Sequence, residues 1–258
     1  MNSDPRQHAY LKAMGIDIWV RRDAVPTTPL ISPAEDTLLV PKESVAEITS
    51  EIATPSIPDM DMVNVSELDW PGLGQQVANC RLCELHATRK QAVFGVGNQQ
   101  ADWLIIGEAP GAEEDRQGEP FVGRAGQLLN AMLKAIGLKR EQVYITNILK
   151  CRPPNNRDPR PEEAACCSPY LQRQIELIQP RLILALGRIA AQRLLQTNTS
   201  LARLRGKVHT LESTQSPVIV TYHPAYLLRS PAEKRKAWQD LQYAQQFVAQ
   251  ATAAGSGS

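Results

Sequence analysis

From Ser66 onward the chain alternates short apolar runs with stretches whose apolar residues recur every three or four positions. Trp103–Ile106, Val143–Ile145, Leu182–Leu186 and Val218–Thr221 have the length and continuity of strands. Between them Ala125–Ile136, Pro161–Ile178 and Arg188–Leu195 carry the helical spacing, with Pro or Gly as punctuation near two of them. Strand and helix in repeated alternation predict an α/β fold, a three-layer α/β/α arrangement around a central, mostly parallel four-stranded sheet. Each strand runs into a polar or glycine-bearing turn: GEAPG, NILKCRPPNN, LGR and YHPAY. In open parallel sheets ligands bind where strands end, so these turns should converge.

The pattern is different before Ser66. Residues 5–22 supply Tyr10, Leu11, Met14, Ile16, Ile18 and Trp19 to one imperfect amphipathic helix, and the segment 1–24 is read as a short helix suited to docking a partner. Residues 25–66 are rich in Pro, Ser, Thr and acids, lack a sustained period, and read as a linker. The folded domain is expected over 67–250, opened by SELD, which has capping-box spacing, and the tail 251–258 is expected to fray.

Charge sharpens this division. The whole chain carries +1, yet residues 1–66 carry −5 and residues 67–258 carry +6, a moderately basic body able to neutralise phosphates. No run of about 18 apolar residues could span a membrane, and the N-terminus lacks a secretory signal, so a cytoplasmic protein is expected. No coiled-coil pattern calls for an oligomer, and a monomer is expected.

Five cysteines without an export signal favour metal binding or buried thiols over disulfides. Cys80 and Cys83 form a CxxC, which turns two sulfurs toward one ion or cluster, and Cys151 with one of Cys166 and Cys167 would complete four thiolates. Zinc and a four-iron cluster both accept that set. Of the adjacent pair, one is expected to be a bystander packed on its helix.

Three strings carry more than their parts: GEAPGAEEDRQGEPFVGRAGQLLN, TNILKCRPPNNRDPRPEE and TYHPAYLLR. Together and in this order they resemble family 4 of the uracil-DNA glycosylases, the bacterial and archaeal iron-sulfur branch, over about residues 75–245. The resemblance implies an enzyme that hydrolyses the N-glycosidic bond of a flipped-out deoxyuridine in single- or double-stranded DNA, leaving an abasic site. Aligned with the family pattern CRPPGNRNPTPEEVAAC, Cys167 takes the ligand position and Cys166 that of an alanine. Cys80, Cys83, Cys151 and Cys167 would then hold a structural [4Fe-4S] cluster, with zinc as the alternative.

By the same resemblance His223 would hydrogen-bond the uracil O2 and support the charge of the departing base, and Asn147 would read its Watson–Crick edge. Phe121 would stack on the flipped ring, and Glu108, beside Ala109, would touch the base. Family 4 has alanine where family 1 has a water-activating aspartate, so water activation is not assigned. Glu114 and Asn156 are secondary candidates. Arg124, Arg152, Arg157 and Arg229 lie beside the motif turns where phosphates would pass. Tyr226, Leu227 and Leu228, in a loop after the histidine, would fill the gap left by the extruded base.

Three rival readings compete with this one. Relatives of broader base specificity tend to lack the polar groups retained here as Glu108 and Asn147. A relative that traps its substrate covalently has GEQPG and an Arg-rich insertion, whereas this chain has GEAPG and only Arg203-Leu-Arg-Gly-Lys-Val-His209 nearby. A metal-bearing module that merely binds nucleic acid would not need Asn147 and His223 at converging strand ends.

Overall fold

The computed structural model describes residues 64–255. The helix expected within residues 1–24 and all but the last residues of the linker expected at 25–66 lie outside the described residues.

Six strands form one sheet: β1 (Val96–Gly97), β2 (Trp103–Gly107), β3 (Tyr144–Asn147), β4 (Leu182–Leu186), β5 (Val208–Thr210) and β6 (Pro217–Thr221). Their order is β1-β3-β2-β4-β6-β5. The inner four are parallel and are the four runs picked out in the sequence. The expected strand number is corrected by β1 and β5, which pair antiparallel at the two edges and are too short to leave a periodic signal.

The helices are α1 (Trp70–Asn79), α2 (Ala112–Gln117), α3 (Arg124–Ala135), α4 (Pro161–Ile178), α5 (Gly187–Leu194), α6 (Leu201–Leu204), α7 (Pro224–Arg229) and α8 (Lys234–Gly255). Side chains alternate across a strand. Leu104 and Ile106 therefore meet α4, α5 and α6 in one core, which includes Leu171, Ala190 and Leu204. Trp103 and Ile105 meet α3, α7 and α8 in the other, with Leu129, Leu227 and Leu241. Three layers result. Outside them α1 lays Leu73 and Val77 against Tyr170 of α4.

Several local expectations are corrected. SELD does not form a capping box: Asp69 is itself the N-cap of α1, its carboxylate accepting from Gly72 N at 2.9 Å. The segment after His223 is the helix α7 rather than a loop, because Pro224 at its first position suits a helix start and Leu227 anchors it in the core. The final helix continues through Gly255, past the boundary expected at 250. No described helix is long and apolar enough to cross a membrane.

Candidate active site

A cavity of about 750 Å³ opens at the C-terminal ends of the parallel strands and brings Glu108, Ala109, Phe121, Asn147 and His223 together. Glu108 follows β2, Asn147 ends β3 and His223 lies beyond β6, so strand order alone gathers residues more than a hundred positions apart.

Asn147 is 1% exposed, and its Oδ1 is buried without a hydrogen-bond partner among the described residues. Such an acceptor costs about 1–3 kcal/mol unless something meets it. Space for it depends on Gly107, its register partner on β2: a Cβ there would overlap Asn147 Oδ1 and come within 2.6 Å of Phe121 Cζ.

Phe121 is buried in a left-handed backbone conformation (φ 55°). Glu114 holds this turn, its Oε1 accepting from Val122 N at 3.0 Å and Gly123 N at 3.1 Å, while Arg140 donates to Pro120 O at 2.5 Å. Glu114 is thus a brace for the ring rather than a solvent-facing loop residue. The Phe121 ring lies 5.5 Å from that of His223, tilted by 32°.

His223 caps α7, its Nδ1 accepting from Ala225 N at 3.1 Å. With Nδ1 an acceptor, the neutral ring carries its proton on Nε2. Burial, reinforced by the Arg229 cation, lowers its pKa to about 4 and keeps it neutral. Glu108 moves the other way, up to about 7, chiefly through burial and then through the nearby charge of Asp158, with Arg188 opposing. Asp158 and Arg188 form an ion pair at 2.9 Å on the cavity wall. The sequence reading missed this pair because nothing in local spacing joins a loop residue before α4 to the start of α5.

The other candidates divide. Asn156, Arg157, Tyr226 and Arg229 line the cavity, whereas Arg124, Leu227 and Leu228 do not. Arg157 is engaged by Glu163, with Nη1 to Oε2 at 2.9 Å, and Arg152 donates to Asn156 Oδ1 at 2.8 Å. Leu227 is 1% exposed and is core, which corrects its expected place at the DNA. His209 of the Arg-rich string bonds Leu204 O at 2.8 Å, away from the cavity lining.

A second, smaller cavity is ringed by all five cysteines. Cys166 is half-buried, its thiol donating to Leu82 O at 3.2 Å, while Cys167 is buried in the core. Arg89 Nη1 donates to Cys151 Sγ at 2.9 Å and Nη2 to Ala78 O and Cys80 O, tying the CxxC segment to the distant cysteine. Lys150 is fully buried, with its Nζ on three neutral acceptors, Thr146 Oγ1 at 2.6 Å, Gln174 Oε1 at 2.6 Å and Asn147 O at 3.0 Å. Burial lowers the Lys150 pKa to about 7, and ionised sulfurs at Cys167 and Cys151 would oppose that shift and keep the proton on Nζ. Burial holds the free thiols of Cys83 and Cys167 up to about 11 and about 12, so a metal would have to displace their protons. Once those sulfurs are ionised, Arg89 and Lys150 beside them suit a thiolate-rich, negatively charged metal group. Among the described residues no three His, Cys, Asp or Glu side chains converge on one point fit for a single ion.

The three-layer fold, with its site at the parallel strand ends, matches a family model, the uracil DNA glycosylase superfamily, over residues 94–242, and the chain belongs to that superfamily. Within it, the chain is similar to the type-4 uracil-DNA glycosylase of Archaeoglobus fulgidus, 49% identical over 173 residues, 65% of this chain and 87% of the relative. It is also similar to that of Thermotoga maritima, 43% identical over 180 residues, 68% of this chain and 93% of the relative. A type-5 uracil-DNA glycosylase of Thermus thermophilus is less similar, 32% identical over 160 residues, 50% of this chain and 73% of the relative.

Proposed function

We propose that the protein excises uracil from DNA as a monofunctional glycosylase of the type-4 kind. The observation that carries this reading is the buried, unpartnered Oδ1 of Asn147 beside Phe121 and His223. Uracil N3–H satisfies that acceptor, and the amide nitrogen donates to O4. Cytosine has no N3 proton and presents a donor at the 4-position, so both contacts fail. Leaving these buried groups unpaired disfavours cytosine by about 1–3 kcal/mol per contact.

In the reaction the C1′–N1 bond breaks with its electron pair going to uracil, C1′ gains oxocarbenium character, and water adds its oxygen there, the proton it loses neutralising the uracil anion through solvent. Neutral His223 donates from Nε2 to the uracil O2, where negative charge grows as the base departs. Phe121 stacks on the base and helps exclude water. Glu108, largely protonated below about pH 7, sits against the base without the repulsion an ionised carboxylate would impose on the uracil anion. Arg229 and Asn156 line the mouth of the cavity, where the DNA backbone would pass.

Cys80, Cys83, Cys151 and Cys167 would hold a [4Fe-4S] cluster, whose contribution is to cross-link the CxxC segment to the loop after β3. Cysteines spread around a cavity suit a cluster, in which each thiolate binds its own iron, better than zinc, which draws its thiolates to about 2.3 Å from one point. Arg89 and Lys150 balance its charge. The enzyme would work as a cytoplasmic monomer, with residues 1–24 docking a repair or replication partner on the tether of 25–66. Deletion of residues 1–66 should then spare activity on short DNA.

The test is incubation with single-stranded oligonucleotides carrying one uracil, or cytosine in its place, followed by alkaline cleavage. Scission at uracil alone supports the reading. Equal binding of both strands without scission would point instead to a nucleic-acid-binding module.

A further inference from the structure

The cavity lined by Asn147 and His223 extends to Tyr222 and Tyr226, whose side chains are stacked, with ring centroids 5.2 Å apart and planes 17° from parallel. Behind them the Arg205 guanidinium lies 4.4 Å from the Tyr222 ring centroid. That guanidinium is itself fixed. Its Nε and Nη2 donate to the two carboxylate oxygens of Asp240 at 2.7 and 2.9 Å, and Nη2 also meets Lys236 O at 2.8 Å. Asp240 is 3% exposed and accepts from Thr221 Oγ1, at the end of β6, at 2.7 Å. A strand end, a buried carboxylate, a bidentate arginine and two tyrosines thus form one supported column.

Only the last member is open. Tyr226 is 38% exposed, on a helix whose first turn it closes by donating its backbone N–H to His223 O at 2.9 Å. The exposed ring is therefore one helical turn from the imidazole that meets the uracil. Neighbouring nucleotides along an extended strand are separated by about the same distance, so the next base of the strand comes within reach. A ring that plugged the duplex would have to leave its stack on Tyr222. A ring that stays there presents a rigid π-face, the surface that nucleobases of any sequence stack on.

We propose that Tyr226, backed by Tyr222 and Arg205, is a stacking platform for a nucleobase immediately flanking the uracil in the same strand. This subsite rests on the glycosylase reading for its placement and assigns the site a footprint of two bases. It is indifferent to which base occupies it, since it offers a face and no edge contacts.

The test uses the full chain and a single-stranded oligonucleotide whose one deoxyuridine carries a 2′-fluoro group, which disfavours the oxocarbenium and blocks cleavage. Binding is measured with the 5′ or the 3′ neighbour of the uracil replaced by a tetrahydrofuran abasic residue. Removing one of the two neighbours should weaken binding by the parent about 5- to 150-fold, the range for loss of one base–aromatic stack. Tyr226→Ala should bind the intact strand as weakly as the parent binds the abasic one, with no further loss on the abasic strand, and Tyr226→Trp should restore the dependence. Indifference of the parent to both neighbours, or an equal loss in Tyr226→Ala on every strand, would overturn the platform. Uracil excision from the natural strand is read in parallel. Flank-dependent binding without excision would uphold the platform and sink the glycosylase reading, whereas excision with indifference to both flanks would do the reverse.

Discussion

Gly107 and Asn147 are register partners at the ends of β2 and β3, and the amide occupies the volume where a side chain on the glycine would begin. The glycine therefore acts as a spacer. It lets the acceptor of Asn147 and the ring of Phe121 share one wall of the cavity. Gly107→Ala should fold, since the strand conformation suits alanine, but should displace both side chains. Misplacement of about 1 Å at a reacting site costs about 100-fold in rate. Single-turnover excision with a thermal melt alongside checks this, and near-parent rates would mean that the Asn147 amide is not the recognition element.

On the proposed mechanism His223→Ala takes away one donor to the developing uracil anion, and the rate of the chemical step should fall about 100- to 1,000-fold. Because the ring stays neutral down to about pH 4, the ratio of parent to variant rates should be flat from about pH 8 to about pH 5. A ratio that grew as pH fell would mean that an imidazolium does the work.

Glu108 carries a stability signature of its own. Its pKa rises from an ordinary value of 4.5 to about 7 on folding, so between those values the folded chain binds the proton and the unfolded chain releases it. Stability is then fullest below about pH 4.5 and is lost as pH rises through about 7. Glu108→Gln, which cannot ionise, should melt higher than the parent at about pH 8.5 and equal to it near about pH 4.5. Equal melting temperatures at both pH values would place the Glu108 carboxyl in water.

Cys166 and Cys167 both border the small cavity, and only substitution separates them. Cys167→Ser should lose bound iron and the visible absorbance near about 400 nm that thiolate-bound clusters show, whereas Cys166→Ser should keep both. The opposite result would put Cys166 in the ligand set.

The inner strands were legible because burial on both faces leaves unbroken apolar runs such as WLII and LILAL. Three kinds of element were not. WPGLGQQVAN has two glycines and few apolar positions, and it becomes α1 through its Asp69 cap and its packing on α4. AEEDRQ is almost wholly charged and forms α2 as a short turn of the loop that carries Phe121. The third case is the run after His223, where bulky residues suggested a loop and the helix α7 instead sorts them, Leu227 inward and Tyr226 outward.

The site divides in the same way. Asn147, His223, Glu108 and Phe121 were named from motif strings, and the topology gathers them in one cavity. Arg89, the Asp158–Arg188 pair and the Arg205–Tyr222 stack left no local signal because their partners are distant in the chain: Arg89 reaches Cys151 and Arg205 reaches Asp240 across long separations. Spacing along a sequence carries no trace of such meetings.

The two edge strands, which left no mark in the sequence, bear on how copies of the protein behave toward one another. A sheet whose inner strands are this apolar would be a template for stacking chain on chain if it ended in a long, flat, unpaired strand. Here it ends in Val96–Gly97 on one side and Val208–Thr210 on the other, both short and both running against their neighbours. So little open ladder gives a misfolded neighbour almost nothing to zip onto.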